Sequence, residues 1–332
     1  RYWAKRELRA RDHAEVRTAL TSWLAAADDP HHLLEGLWLS QGIDAPNAEL
    51  LRRLTASDNP LIAAAALGPL RFWHEELGST ETAALLKRAA NNPSQHVRRE
   101  AILAASYVGG EAAFRAAHTI LLSHGLAVET IRANVPRAEI GIAINFDTST
   151  PASAKPEDYH AARLWDGYFS RWFMDALYGR HDPADMVDYY TRQGYLPNRL
   201  DFVQAGDMET IAAPLNFLGI NYYTRHIAWA GDLFESPQSE SSPGAEYTAM
   251  DWEVHPDSFY RLLNRLHFEY GISKLLITEN GCSYLDGPDE NGQVDDQKRI
   301  TYLQGHLTAC LLYTSPSPRD QSLYLVCRLL LE

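Results

Sequence analysis

Cysteine is scarce. The 332 residues hold only Cys282, Cys310 and Cys327, with no CxxC pair among them. Neither a disulfide framework nor a thiolate zinc site is therefore written into the chain. Such usage suits a reducing compartment, and the cytoplasm is the expected location. No apolar run reaches the roughly 18 residues of a bilayer span, so no membrane span is expected. Positive charge is short as well. Lys and Arg number 30 against 43 Asp and Glu, a formal charge of −13, which argues against nucleic acid as a partner. The deficit is uneven: residues 1–110 hold 13 basic and 13 acidic side chains, and residues 111–332 hold 17 and 30. That asymmetry points to two unrelated pieces. Residue 1 is Arg rather than Met, which leaves room for a signal peptide upstream.

What is present begins with helices and a repeat. "LLRR" at 50–53 returns as "LLKR" at 85–88, an offset of 35. At that offset Ile62 falls on Val97, Ala66 on Ala101 and Leu67 on Ile102. Each unit is a helix with an apolar stripe, a polar break ("TASDNP", "NNPSQH") and an Ala-rich second helix. Asp58, Asn59 and Ser94 are candidate caps, with Pro60 in a first turn. A weaker copy, "VRTALTSWLAAADDPHHLLEGLWLS", occupies 16–40. The segment resembles HEAT repeats, helical pairs stacked into an α-solenoid. Arg52, Arg53, Lys87 and Arg88 recur in register, as a solvated face or as the rim of a surface for a protein partner.

Beyond about residue 110 the pattern changes. "AEIGIAINF" (138–146), "LNFLGINYYTR" (215–225) and "KLLITENG" (274–281) read as buried strands. They are separated by the polar loop "DTSTPASAKPEDYH", the aromatic helix "AARLWDGYFSRWFMDALYG" and the helix of "DWEVHPDSFYRLLNRLHFEYG". Strand, loop, helix, strand is the rhythm of parallel βα units, whose chemistry sits at the carboxyl ends of the strands. Asn145, Asn221, Tyr223 and Glu279 are all expected at such ends. An unpaired buried carboxylate is costly, so Glu279 is read as facing a substrate rather than the core. Amides and phenols beside a carboxylate suit sugar chemistry: they bond hydroxyls, and the carboxylate answers positive charge at the anomeric carbon. The plain alternative is a Glu279 that caps a turn and a Tyr223 that fills the core.

Residues 112–309 resemble glycoside hydrolase family 1, the β-glucosidase family, at "GYFSRWFMDALYGRHDPADM", "FLGINYYTR", "DWEVHPDSFYRLL" and "ITENG" in that order. The resemblance implies a (β/α)8 TIM barrel and retaining hydrolysis of β-glycosides. It makes Glu279 the nucleophile and Tyr223 the phenol that orients it. Asn221 and Asn145 become substrate-binding groups and Trp252 a stacking platform on the aglycone side. No cofactor or metal is implied.

The departures from the family are as informative. Its acid/base glutamate lies in a Thr-Phe-Asn-Glu-Pro motif, which this sequence lacks. Glu139 and Asp147 flank the first strand but stand in other contexts. Only strands five to seven of the barrel are legible, and "TACLLYTSPSPRDQSLYLVCRLLLE" follows where the last strand belongs. The expectation is thus an α-helical HEAT-like solenoid at 1–111, a partial α/β TIM barrel at 112–309 and a non-native-looking tail at 310–332. Two functions follow: a retaining β-glycosidase, as a truncated chimeric fragment with little or no activity of its own on a β-glycoside, or a HEAT-repeat protein-binding module carrying an inert barrel fragment.

Overall fold

The computed structural model describes residues 2–179, 181–231, 242 and 244–314. Its chain divides into two compact units, residues 1–120 with 190–203, and residues 121–189 with 204–332.

The first unit is helical throughout its described residues. It comprises α1 (Tyr2–Arg9), α2 (His13–Ala26), α3 (Pro30–Gly42), α4 (Ala48–Thr55), α5 (Pro60–Ala66), α6 (Leu70–Leu77), α7 (Ser79–Ala90), α8 (Gln95–Val108) and the start of α9 (Gly110–Asn134). Local chemistry sets the starts. Asp12, Asp29, Asn47 and Asn59 accept from the first free amides of α2 to α5, and Pro follows at the head of α3 and α5. Ser94 precedes α8 but makes no side-chain cap, and Asn59 rather than Asp58 caps α5.

Most positions related by the 35-residue offset are buried alike, Leu50 with Leu85, Leu51 with Leu86, Ile62 with Val97 and Ala66 with Ala101, whereas Leu67 is buried and its counterpart Ile102 only partly so. α4 packs on α7 and α5 on α8, like on like. Arg52 does more than face water. It forms a two-pronged ion pair with Glu81 of α7, and Arg88 donates to the Thr55 hydroxyl at 2.8 Å. Gly109 and Gly110 both take positive φ, 78° and 54°, which separates α8 from α9. The expected boundary at 111/112 therefore falls inside the first turn of α9.

The second unit is built on a parallel sheet of β1 (Gly141–Pro151), β2 (Phe217–Ala228) and β3 (Leu275–Glu279), in the order β1-β2-β3. Between β1 and β2 run α10 (Pro156–Asp166), one turn of π-helix (Gly167–Arg171), α11 (Trp172–Leu177), α12 (Ala184–Arg192) and α13 (Asp207–Ile211). Between β2 and β3 lies α14 (Pro256–Tyr270), and α15 (Gln297–Thr314) follows.

Alternation along β2 decides the layers. Leu218, Ile220 and Tyr222 have no exposed surface and pack with Phe146 and Leu275 against Phe259, Leu262, Leu263 and Leu266 of α14 and Cys310 of α15. Gly219, Asn221 and Tyr223 must then take the other face. Gly219 is needed there, because a Cβ would press on Ala143 and Thr278, its neighbours on either side.

Two expectations are corrected. β1 does not stop at Phe146 and β2 does not stop at Arg225. After a register shift between Phe146 and Thr148, pairing resumes from Thr148↔Arg225 to Pro151↔Ala228. β-branched Thr148 and Thr150 suit a strand as well as a loop, so the supposed loop gives residues 147–151 to β1 and residues 156–160 to α10. Asn145 and Asn221 therefore sit within their strands, and Glu279 alone closes one. Residues 310–314, assigned to the tail, complete α15, with Cys310 buried; the rest of that tail, 315–332, lies outside the described residues.

A glycine on α9 supplies a test. A Cβ on Gly125 would collide with the backbone oxygen of Thr210. In an exposed helix Gly→Ala stabilises by about 1 kcal/mol; here Gly125→Ala is expected to lower the thermal midpoint instead, as read by circular dichroism.

Candidate active site

The site is assembled where β2 and β3 part. Their register pairs Ile220 with Ile277 and then Asn221 with Glu279, so Thr278 is an inserted residue on β3. Leu275 and Ile277 pack toward the helices, and strict alternation would send Glu279 after them. The bulge turns it instead to the face of Asn221 and Tyr223, the kind of re-aiming for which bulges serve. Glu279 is exposed there. The Tyr223 phenol donates to its Oε2 at 2.5 Å. Beside this pair, the Thr278 hydroxyl donates to Asn221 Oδ1, also at 2.5 Å.

Asn145 is the ladder partner of Asn221 on β1 and is exposed, whereas its neighbour Phe146 is buried in the helix-side core. The Trp252 ring lies 5.2 Å from that of Tyr223, tilted by 40°. Tyr223, Glu279 and Trp252 are thus drawn together, with Asn221 beside them and Asn145 next to Asn221 in the ladder. Their arrangement presents a carboxylate, a phenol, amides and an indole face to open space.

Electrostatics follow from these contacts. The hydrogen bond to Glu279, then burial and the carboxylate's charge, push the Tyr223 phenol up to about 12. Asp147, on the bulged stretch of β1, is pushed up to about 7 by burial, with the Trp165 indole opposing. Its Oδ1 is shielded from solvent and has no hydrogen-bond partner. Glu139 lies elsewhere. It precedes β1, at the amino ends of the strands, and binds Lys274 at 2.6 Å.

Sequence reading passed over the support of Trp252. Glu253, only 6% exposed, holds Arg225 through two bonds of 2.7 and 2.9 Å. The Thr224 hydroxyl donates to the Glu253 carbonyl at 3.0 Å. Both charges stand in the quoted motifs, "NYYTR" and "DWEVHP". A strand-end Arg and a Glu beside a Trp were the signal for a fork-to-fork pair.

A parallel βα sheet with a carboxylate at the carboxyl end of a strand is the arrangement of α/β enzymes, (β/α)8 barrels among them. The model of glycosyl hydrolase family 1 matches residues 96–316, and the chain belongs to that family. It is 34% identical over 194 residues to beta-glucosidase A of Acetivibrio thermocellus, covering 58% of this chain and 42% of that protein. To beta-glucosidase A of Thermotoga maritima it is 35% identical, covering 59% and 43%. Among solved structures, a β-glucosidase from Exiguobacterium marinum superposes with a TM-score of 0.56 at 36% identity, over 65% of this chain and 49% of that one. The Thermotoga maritima β-glucosidase in complex with glucoimidazole gives 0.55 at 31% identity, over 65% and 47%. The chain thus spans less than half the length of these curated relatives. The family match begins within α8, earlier than the expected boundary. No described helix is long and apolar enough to cross a membrane.

Two outcomes are expected. With Glu279→Gln the acceptor charge is gone, so the Tyr223 phenol should titrate nearer 10 than 12; carbon NMR of ring-labelled tyrosine reads this directly. For Asp147 the folded value near 7 lies above the ordinary 3.8. Its contribution to stability is present at low pH and is lost as pH rises through about 7. Asp147→Asn should therefore flatten the fall in urea-unfolding stability between about pH 5 and pH 8.

Proposed function

We propose that this chain carries the nucleophile side of a retaining β-glycosidase site, with Glu279 as nucleophile, Tyr223 as its orienting phenol, Asn221 and Asn145 as sugar-binding amides and Trp252 as the aglycone platform. The observation that carries the reading is the hydrogen bond from Tyr223 to Glu279 across adjacent parallel strands. A phenol donating to one carboxylate oxygen restrains the carboxylate and leaves its second oxygen free for the anomeric carbon. Glu279 would attack that carbon as the bond to the leaving oxygen breaks. The electron pair leaves with the aglycone, and a glycosyl ester remains for water to cleave.

Retention needs a second carboxyl group about 5–5.5 Å away, to protonate the leaving group and later activate water. The family's acid/base motif is absent from the sequence, and Glu139 is engaged at the far end of the strands. General acid help is worth about 10²–10⁴-fold. β1 and β3 each pair on one side only among the described residues, so the pocket is open and wet. Turnover is accordingly read as negligible, and the chain as a cytoplasmic fragment of the family. The stacking of α4 on α7 and α5 on α8 favours a HEAT-like architecture for the first unit, whose surface would serve a protein partner.

An activated substrate bypasses the missing acid. A 2-deoxy-2-fluoro-β-glucoside with a dinitrophenyl leaving group, incubated overnight, should modify Glu279 slowly and no other carboxylate, as read by peptide mass mapping. Glu279→Gln should abolish the label. A simple alkyl β-glucoside should be turned over no faster than by Glu279→Gln. Label on another carboxylate would overturn the assignment of the nucleophile.

A further inference from the structure

The pairing of Tyr223 with Glu279 raises a mechanical question. Glu279 is the last residue of β3, and the ladder between β2 and β3 ends at Asn221↔Glu279. Tyr223 lies two residues beyond that last rung. No main-chain rung holds it beside β3, yet its phenol must reach a carboxylate on that strand.

Side chains take over where the ladder stops. The Asn280 amide donates to the carbonyl of Tyr222 at 2.8 Å and to the hydroxyl of Tyr302 at 3.1 Å. That hydroxyl in turn donates to the carbonyl of Tyr223 at 3.1 Å. Two consecutive carbonyls of β2 are thereby tied to the residue following Glu279. Tyr302 belongs to α15 and is 1% exposed. Its ring stacks on that of His306 at 4.0 Å, and His306 Nδ1 approaches the Tyr302 carbonyl at 2.9 Å. The phenol is held rigidly and sits behind the strands, out of reach of a sugar on the open face.

We infer that Tyr302 is a positioning residue, which with Asn280 replaces the missing rungs and sets the distance between Tyr223 and Glu279. The inference rests on the proposed reading of that pair as nucleophile and orienting phenol. Tyr302 touches no reacting atom; it acts by fixing the main chain of Tyr223. The cost of losing it is specific. Tyr302→Phe keeps the ring, its stacking and its volume, but leaves the Tyr223 carbonyl without this donor. β2 is then free to drift from β3 at the one point where the phenol and carboxylate must stay within hydrogen-bond reach.

The test reads the hydrogen bond itself and needs no turnover. Ring-labelled tyrosine NMR follows the titration of Tyr223 in the full chain. Tyr302→Phe should bring the Tyr223 phenol down by one pH unit or more, toward the position it takes in Glu279→Gln, while circular dichroism stays native. Asn280→Ala, which removes the other leg, should act in the same direction. Leu263→Ala serves as a control for mere destabilisation, since Leu263 is fully buried in the same core but makes none of the clamp's hydrogen bonds; it should leave the Tyr223 titration in place. A folded Tyr302→Phe protein whose Tyr223 titrates as in the unaltered chain would overturn the inference, and so would a Glu279→Gln protein whose Tyr223 titrates as in the unaltered chain. The fluoroglucoside label decides the nucleophile separately, so the two readings fail independently.

Discussion

The second unit rests on one constraint, the period of two along β2. Leu218, Ile220 and Tyr222 are wholly withdrawn from water against α14. Burying three such side chains is worth on the order of several kcal/mol, and a slip by one residue would forfeit it. The residues between them have no choice of face. Gly219 makes room, and Asn221 and Tyr223 are delivered to the open side as a by-product of packing. The chemistry of the site is thus secured by apolar residues that never touch it.

The strand rhythm, the helix after Pro256 and the placement of Asn221, Tyr223 and Glu279 were legible because each rests on local pattern, whereas Trp252 was reached only through the family resemblance. Apolar runs broken by Asn, Tyr and Glu mark where a buried strand meets a site. The helical character of the first unit was legible for the same reason, since most apolar positions spaced by 35 residues are buried in both copies. Strand length was not. Thr148 to Pro151 look like a loop because they are polar, and only their pairing with Arg225 to Ala228 makes them strand. Pairing is a property of two segments and cannot be read from one.

The same limit hid the contacts that support the site. Arg225 and Glu253 stand far apart in the sequence, as do Asn280 and Tyr302. The two charges are visible in their motifs, but neither neighbourhood says which group the other will meet. The unit boundary was obscured for a related reason: α9 is one uninterrupted helix of 25 residues, so composition changes where the backbone does not.

The bulge at Thr278 has a consequence for recognition at short range. On a regular strand, side chains that share a face stand two residues apart, about 6.6 Å along the chain. That interval is coarse beside the close-set hydroxyls of a pyranose ring. By inserting one residue, β3 presents Thr278 and Glu279, neighbours in sequence, on the same side, each already bonded to a partner on β2. The polar groups of the rim are thereby set at a finer pitch than a pleated strand permits.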